Sequence, residues 1–394
     1  MLYRELGKTG IRVSALGLGC MRLPTVGGGA DRSLPVDEPA AARLIAEAVD
    51  LGVTYFDTAY PYHQGTSEAA LGRGLAEAHA RDRVCIATKI SRNVFSRPEA
   101  WEGTFAAQCA RLRTDYIDAY LAHSMTKTRW ETFTAHGGLE FLAGLKASGR
   151  VRAVGFSFHD NLETFKAIVD AFPWDFCQIQ YNYVDTSFQA GDEGYAYAVA
   201  AGLGVVSMET LKGGSLARPQ PADVEAAWAE LGPESPVGSA TPPAERALRW
   251  VLDKPGVSCA LSGMGTSAEL HANVGAASAH QPQSLTGLEL AAYAAAAECF
   301  AARNTVGCTG CSYCMPCPAG VNIPAIFQIY NQYRLFGDRS WADVMYNMSL
   351  ASNNERADAC RDCGACEQAC PQNLPIRECL REAHATMDPL GQPA

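Results

Sequence analysis

The second strand-like run of the chain leads into a loop, and together they read Tyr55-Phe56-Asp57-Thr58-Ala59-Tyr60-Pro61-Tyr62. Asp57 ends the run and Tyr62 stands on the loop, so a carboxylate and a phenol can meet in one cleft. Two later strand-like runs end in Lys89 and His123. An acid, a phenol, an amine and an imidazole therefore follow three successive strands.

Eight strand-like runs alternate with amphipathic segments along most of the chain. The runs cover residues 15–19, 55–57, 84–89, 117–123, 153–157, 176–181, 204–208 and 258–262. Eight such units in about 280 residues predict a parallel sheet closed into a (β/α)₈ barrel, the TIM barrel of the α/β class. An open doubly wound sheet is the alternative. It needs a G-x-G-x-x-G turn after its first strand, and residues 17–22 (GLGCMR) do not supply one.

Three intervals are too long for simple connections and are candidates for substrate loops: residues 22–39, 125–138 and 211–241. After the eighth run, residues 267–279 and 287–303 have helical spacing, and the second of these segments leads into a cysteine-rich region. We therefore predict a barrel domain over residues 1–302 and a second, small and mainly α-helical domain over residues 303–394.

Composition narrows the classes of function. The chain has 394 residues and a formal net charge of −10, and it contains no cluster of Lys and Arg. A negative protein repels a polyanion, so we expect no nucleic-acid partner. The first residues are polar and charged, unlike a signal peptide, and no apolar stretch reaches the length of a membrane span. The expected location is the cytoplasm, with no membrane partner.

The residues at the strand ends suit proton transfer to a carbonyl group. Tyrosine is a weak acid, with a reference pKa near ~10, so it needs a neighbouring cation to stabilise its phenolate. Lys89 offers that cation, Asp57 can hold the ammonium group, and His123 can donate a hydrogen bond to a carbonyl oxygen. Structural roles are the alternative: a satisfied histidine, a helix-capping Asp57 and a solvated Lys89.

This constellation resembles the catalytic tetrad of the aldo-keto reductase family. Further stretches are similar to that family, in order, over roughly the first 285 residues. They are residues 3–10, 57–62, 155–159, 178–182, 211–214 and 262–266. The resemblance implies that Tyr62 is the general acid, assisted by Lys89 and Asp57, and that His123 orients the carbonyl group. The implied reaction is reduction of an aldehyde or ketone to an alcohol, or its reverse, with NADPH or NADH.

The resemblance also implies where the nicotinamide cofactor binds. The implied positions are Ser157, Gln178, Met208, Gly263, Thr266, Glu269 and Asn273. Ser157 and Gln178 would hold the carboxamide, Met208 would lie against the ring, and the helix that begins near Gly263 would offer backbone amides to a phosphate. Residues 263–269 contain no basic side chain, and Glu269 would repel a 2′-phosphate. Our hypothesis is that NADH is used at least as well as NADPH.

The chain has 15 cysteines, and eight of them form two runs near its end, C-x₂-C-x₂-C-x₂-C-P from residue 308 and C-x₂-C-x₂-C-x₃-C-P from residue 360. The second spacing is that of bacterial ferredoxins, in which each run gives its fourth cysteine to the other cluster. The predicted ligands are Cys308, Cys311, Cys314 and Cys370 for one [4Fe–4S] cluster, and Cys360, Cys363, Cys366 and Cys317 for a second. Zinc is the alternative, but four ligands would satisfy it.

The role of the clusters stays open between two hypotheses. In the first, the clusters only stabilise a small domain. In the second, they conduct electrons between a ferredoxin-type partner and the barrel, although the sequence shows no flavin motif that would divide a hydride into single electrons. A nicotinamide-sensing protein without turnover is a third possibility, because a barrel alone does not prove catalysis.

Overall fold

The computed structural model describes residues 1–30, 34–303, 306–308, 314–370 and 374–388. A closed parallel barrel of eight strands dominates it, with strand order β10-β3-β4-β5-β6-β7-β8-β9. The strands of the barrel are β3 (Leu16–Gly19), β4 (Tyr55–Asp57), β5 (Cys85–Ile90), β6 (Ile117–Met125), β7 (Val151–Phe158), β8 (Phe176–Gln180), β9 (Gly204–Met208) and β10 (Val257–Ser262). All eight predicted strands are present, and the prediction of a TIM barrel is confirmed.

Helices follow the strands of the barrel and continue beyond it. In the first part of the chain they are α1 (Glu38–Asp50), α2 (Ser67–Glu77), α3 (Trp101–Leu112), α4 (Lys127–Ala135), α5 (Gly138–Ala147), α6 (Leu162–Ala171), α7 (Gly191–Ala200), α8 (Ala222–Ala229), α9 (Pro243–Leu252), α10 (Ser267–Ala279) and α11 (Gly287–Ala302). The later ones are α12 (Ile323–Phe336), α13 (Arg339–Asp343), a π-helix (Val344–Leu350), α14 (Ala365–Gln368) and α15 (Ile376–Met387). No helix in these ranges is long and apolar enough to span a membrane.

A two-stranded hairpin precedes the barrel and contributes to its interior. It pairs β1 (Tyr3–Glu5) with β2 (Arg12–Ser14) in antiparallel fashion. Leu6 and Val13 join an apolar cluster with Tyr55 and Phe176, the first residues of β4 and β8. Because these strands begin at the amino end of the barrel, the hairpin fills that end. The polar residues at the strand ends lie at the opposite, carboxyl end of the barrel.

Two of the predicted loops contain helices. The interval 125–138 holds α4, which buries only Phe133. Thr126 caps this helix, and its side chain accepts a hydrogen bond from Arg129 N. The interval 211–241 holds α8, which buries Val224 and Trp228. One or two apolar anchors in eight or nine residues give too weak a periodic pattern to predict these helices from the sequence. A substrate-binding role for the two intervals stays a prediction.

The chain packs as two compact units. The first comprises Met1–Pro219 and Gly232–Leu290, and the second comprises Gln220–Leu231 and Ala291–Ala394. The second unit has its own core, in which α12 and α15 pack against each other through residues such as Phe327, Tyr330 and Leu380. The predicted domain ranges, 1–302 and 303–394, stay a prediction about domains and are not the same as these packing units.

Candidate active site

Asp57 and Lys89 form a buried ion pair at the carboxyl end of the barrel. Lys89 Nζ donates to Asp57 Oδ1 at 2.8 Å, to Oδ2 at 2.7 Å and to the carbonyl oxygen of Thr58 at 2.8 Å. The two residues are 3% and 1% exposed. Burial raises the pKa of the Asp57 carboxyl group, and the charge of Lys89 opposes that shift. A buried pair of this kind contributes little net stability, so its position at the carboxyl end of the barrel favours a functional role.

A buried network of hydrogen bonds holds the backbone of Lys89 in place. Gln108 Nε2 donates to the carbonyl oxygen of Lys89 and to Glu68 Oε1, both at 2.9 Å. Thr88 Oγ1 donates to the same Glu68 oxygen at 2.7 Å, and Arg111 Nε donates to the other at 2.7 Å. Glu68 and Gln108 are 0% exposed. We did not predict this network from the sequence, although a glutamate among the apolar residues of α2 indicates a buried polar contact.

Tyr62 stands beside this pair in the 3₁₀ turn Tyr62–Gly65, directly after β4. Lys89 Nζ lies 5.3 Å from the centroid of its ring. Burial, followed by the negative charges of Asp57 and Glu209, raises the pKa of the Tyr62 phenol well above its usual value. This direction is opposite to the lowering expected from a neighbouring cation, because burial is the largest cause of the shift. The phenol therefore keeps its proton at neutral pH, as a general acid must.

His123 faces Tyr62 edge-on, with ring centroids 6.2 Å apart and an interplanar angle of 78°. Its Nδ1 is buried and has no hydrogen-bond partner in the described part of the chain. Burial, and then the positive charges of Lys89 and neighbouring basic residues, hold the pKa of His123 well below its ordinary range. The imidazole is therefore neutral near pH 7, and its unpaired nitrogen is available to a ligand.

The residues expected at the nicotinamide lie together on the next three strands. Ser157 on β7 is the register partner of Gln178 on β8, and Gln178 Nε2 lies 3.8 Å from Met208 Sδ on β9. Ser157 Oγ accepts from Ser124 N at 2.6 Å. Gln178 is 2% exposed, and its Oε1 lacks a partner among the described residues. An unpaired buried acceptor fits the amide group of a nicotinamide carboxamide.

The residues expected at the phosphate and adenine lie at the start of α10. Thr266 caps this helix, and Glu269 completes a capping box. Glu269 Oε2 accepts from Gly265 N at 2.9 Å and from Thr266 N at 3.2 Å. Asn273, one turn later, donates to Ser262 Oγ at 3.1 Å. A carboxylate is thus fixed on the first turn of the helix, where the backbone would otherwise attract an anion.

The second unit brings the two cysteine runs together. Its cavity of about 120 Å³ is lined by Cys317, Cys360, Cys363 and Cys366, the four residues predicted to bind one cluster, and by Cys314. Cys308 and Cys370 pack against the core of the same unit, while Cys311 lies outside the described residues.

No disulfide links the cysteines of the described ranges. No three His, Cys, Asp or Glu side chains there are arranged as ligands of a metal. The fit to an iron–sulfur cluster therefore rests on the cavity and on its thiol lining, since thiolates are the usual cluster ligands.

Each of the two parts of the chain matches a known protein family or domain. Residues 15–285 match the model of the Aldo/keto reductase family, and residues 307–374 match that of a 4Fe-4S dicluster domain. L-galactose dehydrogenase of Arabidopsis thaliana is 30% identical over 69% of this chain and 87% of its own length. Aldo-keto reductase YhdN of Bacillus subtilis is 28% identical over the same shares.

Among solved structures, the holo form of aldo-keto reductase AKR11C1 from Bacillus halodurans is similar to the barrel. It matches with a TM-score of 0.60 and 26% identity, over 75% of this chain and 96% of its own.

Proposed function

Because the chain belongs to the aldo/keto reductase family of oxidoreductases, we propose that it reduces an aldehyde or ketone to an alcohol, or catalyses the reverse reaction. The observation that carries this proposal is the buried Asp57–Lys89 pair beside Tyr62 and His123 at one end of the barrel. A nicotinamide cofactor, when bound, supplies the hydride that reaches the carbonyl carbon.

In the proposed mechanism, the chain provides the proton and the orientation. His123, neutral and with an unpaired nitrogen, holds the carbonyl oxygen. Tyr62 donates its phenolic proton to that oxygen as negative charge develops there, which balances the two-electron reduction. Lys89 then stabilises the phenolate that remains, and Asp57 keeps the ammonium group in position. A proton from water restores the phenol.

We assign the cofactor to the strand ends that follow the tetrad. Ser157 and Gln178 would bind the carboxamide, and Met208 would lie against the ring. The segment from Gly263 to Thr266 and the side chain of Asn273 would bind the phosphate and adenine parts. Glu269, held at the start of α10, would repel a 2′-phosphate, and this supports use of NADH.

For the second unit we propose two [4Fe–4S] clusters, with the ligand sets Cys308, Cys311, Cys314, Cys370 and Cys360, Cys363, Cys366, Cys317. The cavity that Cys317 shares with the second cysteine run supports the exchange of the fourth ligand. We favour a stabilising role for the clusters. Cysteines without disulfides in the described ranges, together with such clusters, suit a reducing compartment, so we place the protein in the cytoplasm.

A second candidate function is electron transfer between a ferredoxin-type partner and the barrel, and the match to a dicluster domain favours it. Adding NADH or NADPH to the oxidised, anaerobic protein separates the two roles. Cluster reduction at the rate of turnover, seen as bleaching of the cluster absorbance, would support electron transfer. Unchanged absorbance during turnover supports a structural role.

The proposed reaction is tested with a panel of aldehydes, quinones, sugars and ring ketones, assayed anaerobically with both nicotinamides. We expect substrate-dependent oxidation of the cofactor with at least one class. Purified, cluster-loaded protein that binds a nicotinamide but oxidises it with no carbonyl compound would contradict the proposal and would favour the cofactor-sensing alternative.

A further inference from the structure

Three basic residues lie at the same end of the barrel as His123, and the mechanism above uses none of them. Arg92 begins the 3₁₀ turn Arg92–Val94 after β5, Arg129 lies in the first turn of α4 after β6, and His159 follows β7. These strands are neighbours in the barrel, so the three residues share its carboxyl end. The positive charges of Arg92 and Arg129 act on both His123 and His159, and that of Arg92 acts on Arg129.

The guanidinium groups of Arg92 and Arg129 have no ion-pair partner within the described ranges. Arg129 Nη1 donates to the carbonyl oxygen of Ser124 at 2.7 Å, which fixes the half-buried side chain next to His123. The carboxylate of Asp160 is nearby in sequence, but its oxygens accept the backbone amides of Lys127 and Asn161. Two guanidinium groups that form no ion pair within the described ranges therefore lie at the same end of the barrel, after neighbouring strands.

The amino end of the same three strands shows the opposite arrangement. There, Arg81 and Arg152 pair with Asp118 at 2.9 and 3.0 Å, and Arg150 pairs with Glu102 at 2.7 Å. Within the described ranges, Arg92 and Arg129 at the carboxyl end thus contrast with three ion-paired arginines at the amino end of the same strands. Repelling charges cost stability, and such local costs are typical of functional sites, where a ligand removes them.

We propose that the substrate carries an anionic group, a carboxylate or a phosphate, and that Arg129 and Arg92 bind this group. His123 then binds the carbonyl oxygen and Tyr62 protonates it. This inference rests on the proposed function and specifies its substrate class. Arginine stays protonated at neutral pH, and its planar set of N–H donors matches the oxygens of a carboxylate or a phosphate.

The cofactor phosphates do not explain the two arginines. The proposed phosphate site follows β10, whereas Arg129 follows β6. In the strand order of the closed barrel, β6 lies four strands from β10 in either direction, which is directly opposite. The anion that the arginines bind therefore belongs to the other ligand of the site, the substrate.

The test compares three aromatic aldehydes of similar size: 4-formylbenzoate, its methyl ester and 4-formylphenyl phosphate. Anaerobic kcat/KM values are measured on the full-length, cluster-loaded chain with saturating nicotinamide, and on Arg129→Met, Arg129→Lys and Arg92→Met. Arg83→Met is the matched control. Arg83 is an exposed arginine just before β5, at the amino end, and donates to the carbonyl oxygen of Ala78 at 3.2 Å.

We expect at least one anionic aldehyde to exceed the ester by about tenfold in kcat/KM, as charge-assisted hydrogen bonds predict. Arg129→Met should lower this anion-to-ester ratio by about 10- to 100-fold. Arg92→Met should lower it less, because Arg92 is exposed. Arg129→Lys should restore part of the ratio, and Arg83→Met should leave it unchanged. Whichever anion is preferred identifies the group as carboxylate or phosphate.

Equal kcat/KM for the ester and both anions, or a ratio that Arg129→Met does not change, would overturn the inference. If none of the three aldehydes is reduced with either nicotinamide, the proposed carbonyl reduction is tested by the panel of carbonyl compounds described above. Isothermal titration with 4-formylbenzoate and its ester then decides the inference alone. Tighter binding of the acid that Arg129→Met abolishes supports it, and equal binding contradicts it.

Discussion

Two buried carboxylates of the barrel each hold cations, at opposite ends of it. Near the amino end, Asp118 pairs with Arg81 and Arg152 and accepts Ile86 N at 3.0 Å. Near the carboxyl end, Asp57 holds Lys89 at 2.7 Å.

The two sites differ most in what surrounds the charged side chains. The side chains of Arg81 and Arg152 are 18% and 51% exposed, so water partly solvates their charges. Lys89 and Asp57 are enclosed, and Tyr62 and His123 lie beside Lys89 with strongly shifted pKa values. An ion pair at a strand end therefore does not by itself mark a reactive site. An enclosed ion pair with a phenol and an imidazole beside it makes a stronger case for one.

Removing the phenol should have the largest effect at the carboxyl end. Tyr62→Phe keeps the ring and deletes the proton donor, so we expect kcat for carbonyl reduction to fall about 10³-fold, within the range of general acid catalysis. Cofactor affinity, measured by nicotinamide fluorescence, should stay nearly constant. Tyr197→Phe, which removes an exposed hydroxyl group that bonds Asp170, is the control. A Tyr62→Phe variant with unaltered kcat would remove Tyr62 from the mechanism.

Breaking the pair at the amino end should cost stability and leave chemistry intact. Asp118→Asn leaves Arg81 and Arg152 without their carboxylate. We expect the free energy of unfolding to fall by roughly 2 kcal/mol, less than for a fully buried pair because Arg152 is half-exposed. Chemical denaturation measures the loss. Glu102→Gln, at a pair in which both side chains are exposed, should change it by less than about 0.5 kcal/mol. A large loss of kcat in Asp118→Asn would mean that both ends serve catalysis.

A smaller effect is expected where Glu269 closes the first turn of α10. Glu269→Gln keeps a side chain that can accept the amides of Gly265 and Thr266, but it removes the negative charge. We expect kcat/KM with NADPH to rise about tenfold and that with NADH to change little. A native preference of about 100-fold for NADPH, equivalent to some 2.7 kcal/mol, would contradict the assignment of Glu269.

The smallest expected effect concerns pH. The pKa of Tyr62 is raised, so the phenol stays protonated on the alkaline side, and the pKa of His123 is lowered, so the imidazole stays neutral on the acid side. The rate of carbonyl reduction should therefore be flat between about pH 7 and pH 9. Steady-state kcat/KM in overlapping buffers measures this. A decline with an apparent pKa between those limits would show that one of the two groups titrates there.

Much of the barrel was predictable from sequence because its strands are buried on both faces. Such strands appear as short apolar runs, and the end of each run then locates the polar residues of the site. Asp57, Lys89 and His123 could be selected in this way, and the structure brings them together with Tyr62. Their catalytic roles stay predictions.

The contacts between elements could not be predicted. Glu68 and Gln108 lie on different helices, and only packing brings them to the carbonyl oxygen of Lys89. Nothing in the sequence distinguishes Arg92 and Arg129 from other arginines. Whether a described carboxylate pairs with them depends on which strands are neighbours. The raised pKa of Tyr62 also depends on its burial and on the nearby charge of Asp57.

The central claim is that a nicotinamide hydride, and not electrons from the clusters, reduces a carbonyl group beside Tyr62. It is tested most directly by reducing a carbonyl substrate in ordinary water with a nicotinamide that carries deuterium at the transferred position, and by analysing the alcohol by mass spectrometry. The account predicts one deuterium on the carbinol carbon of every product molecule. An alcohol formed at full rate without deuterium would contradict it, because its hydrogen would then come from solvent and its electrons from the clusters.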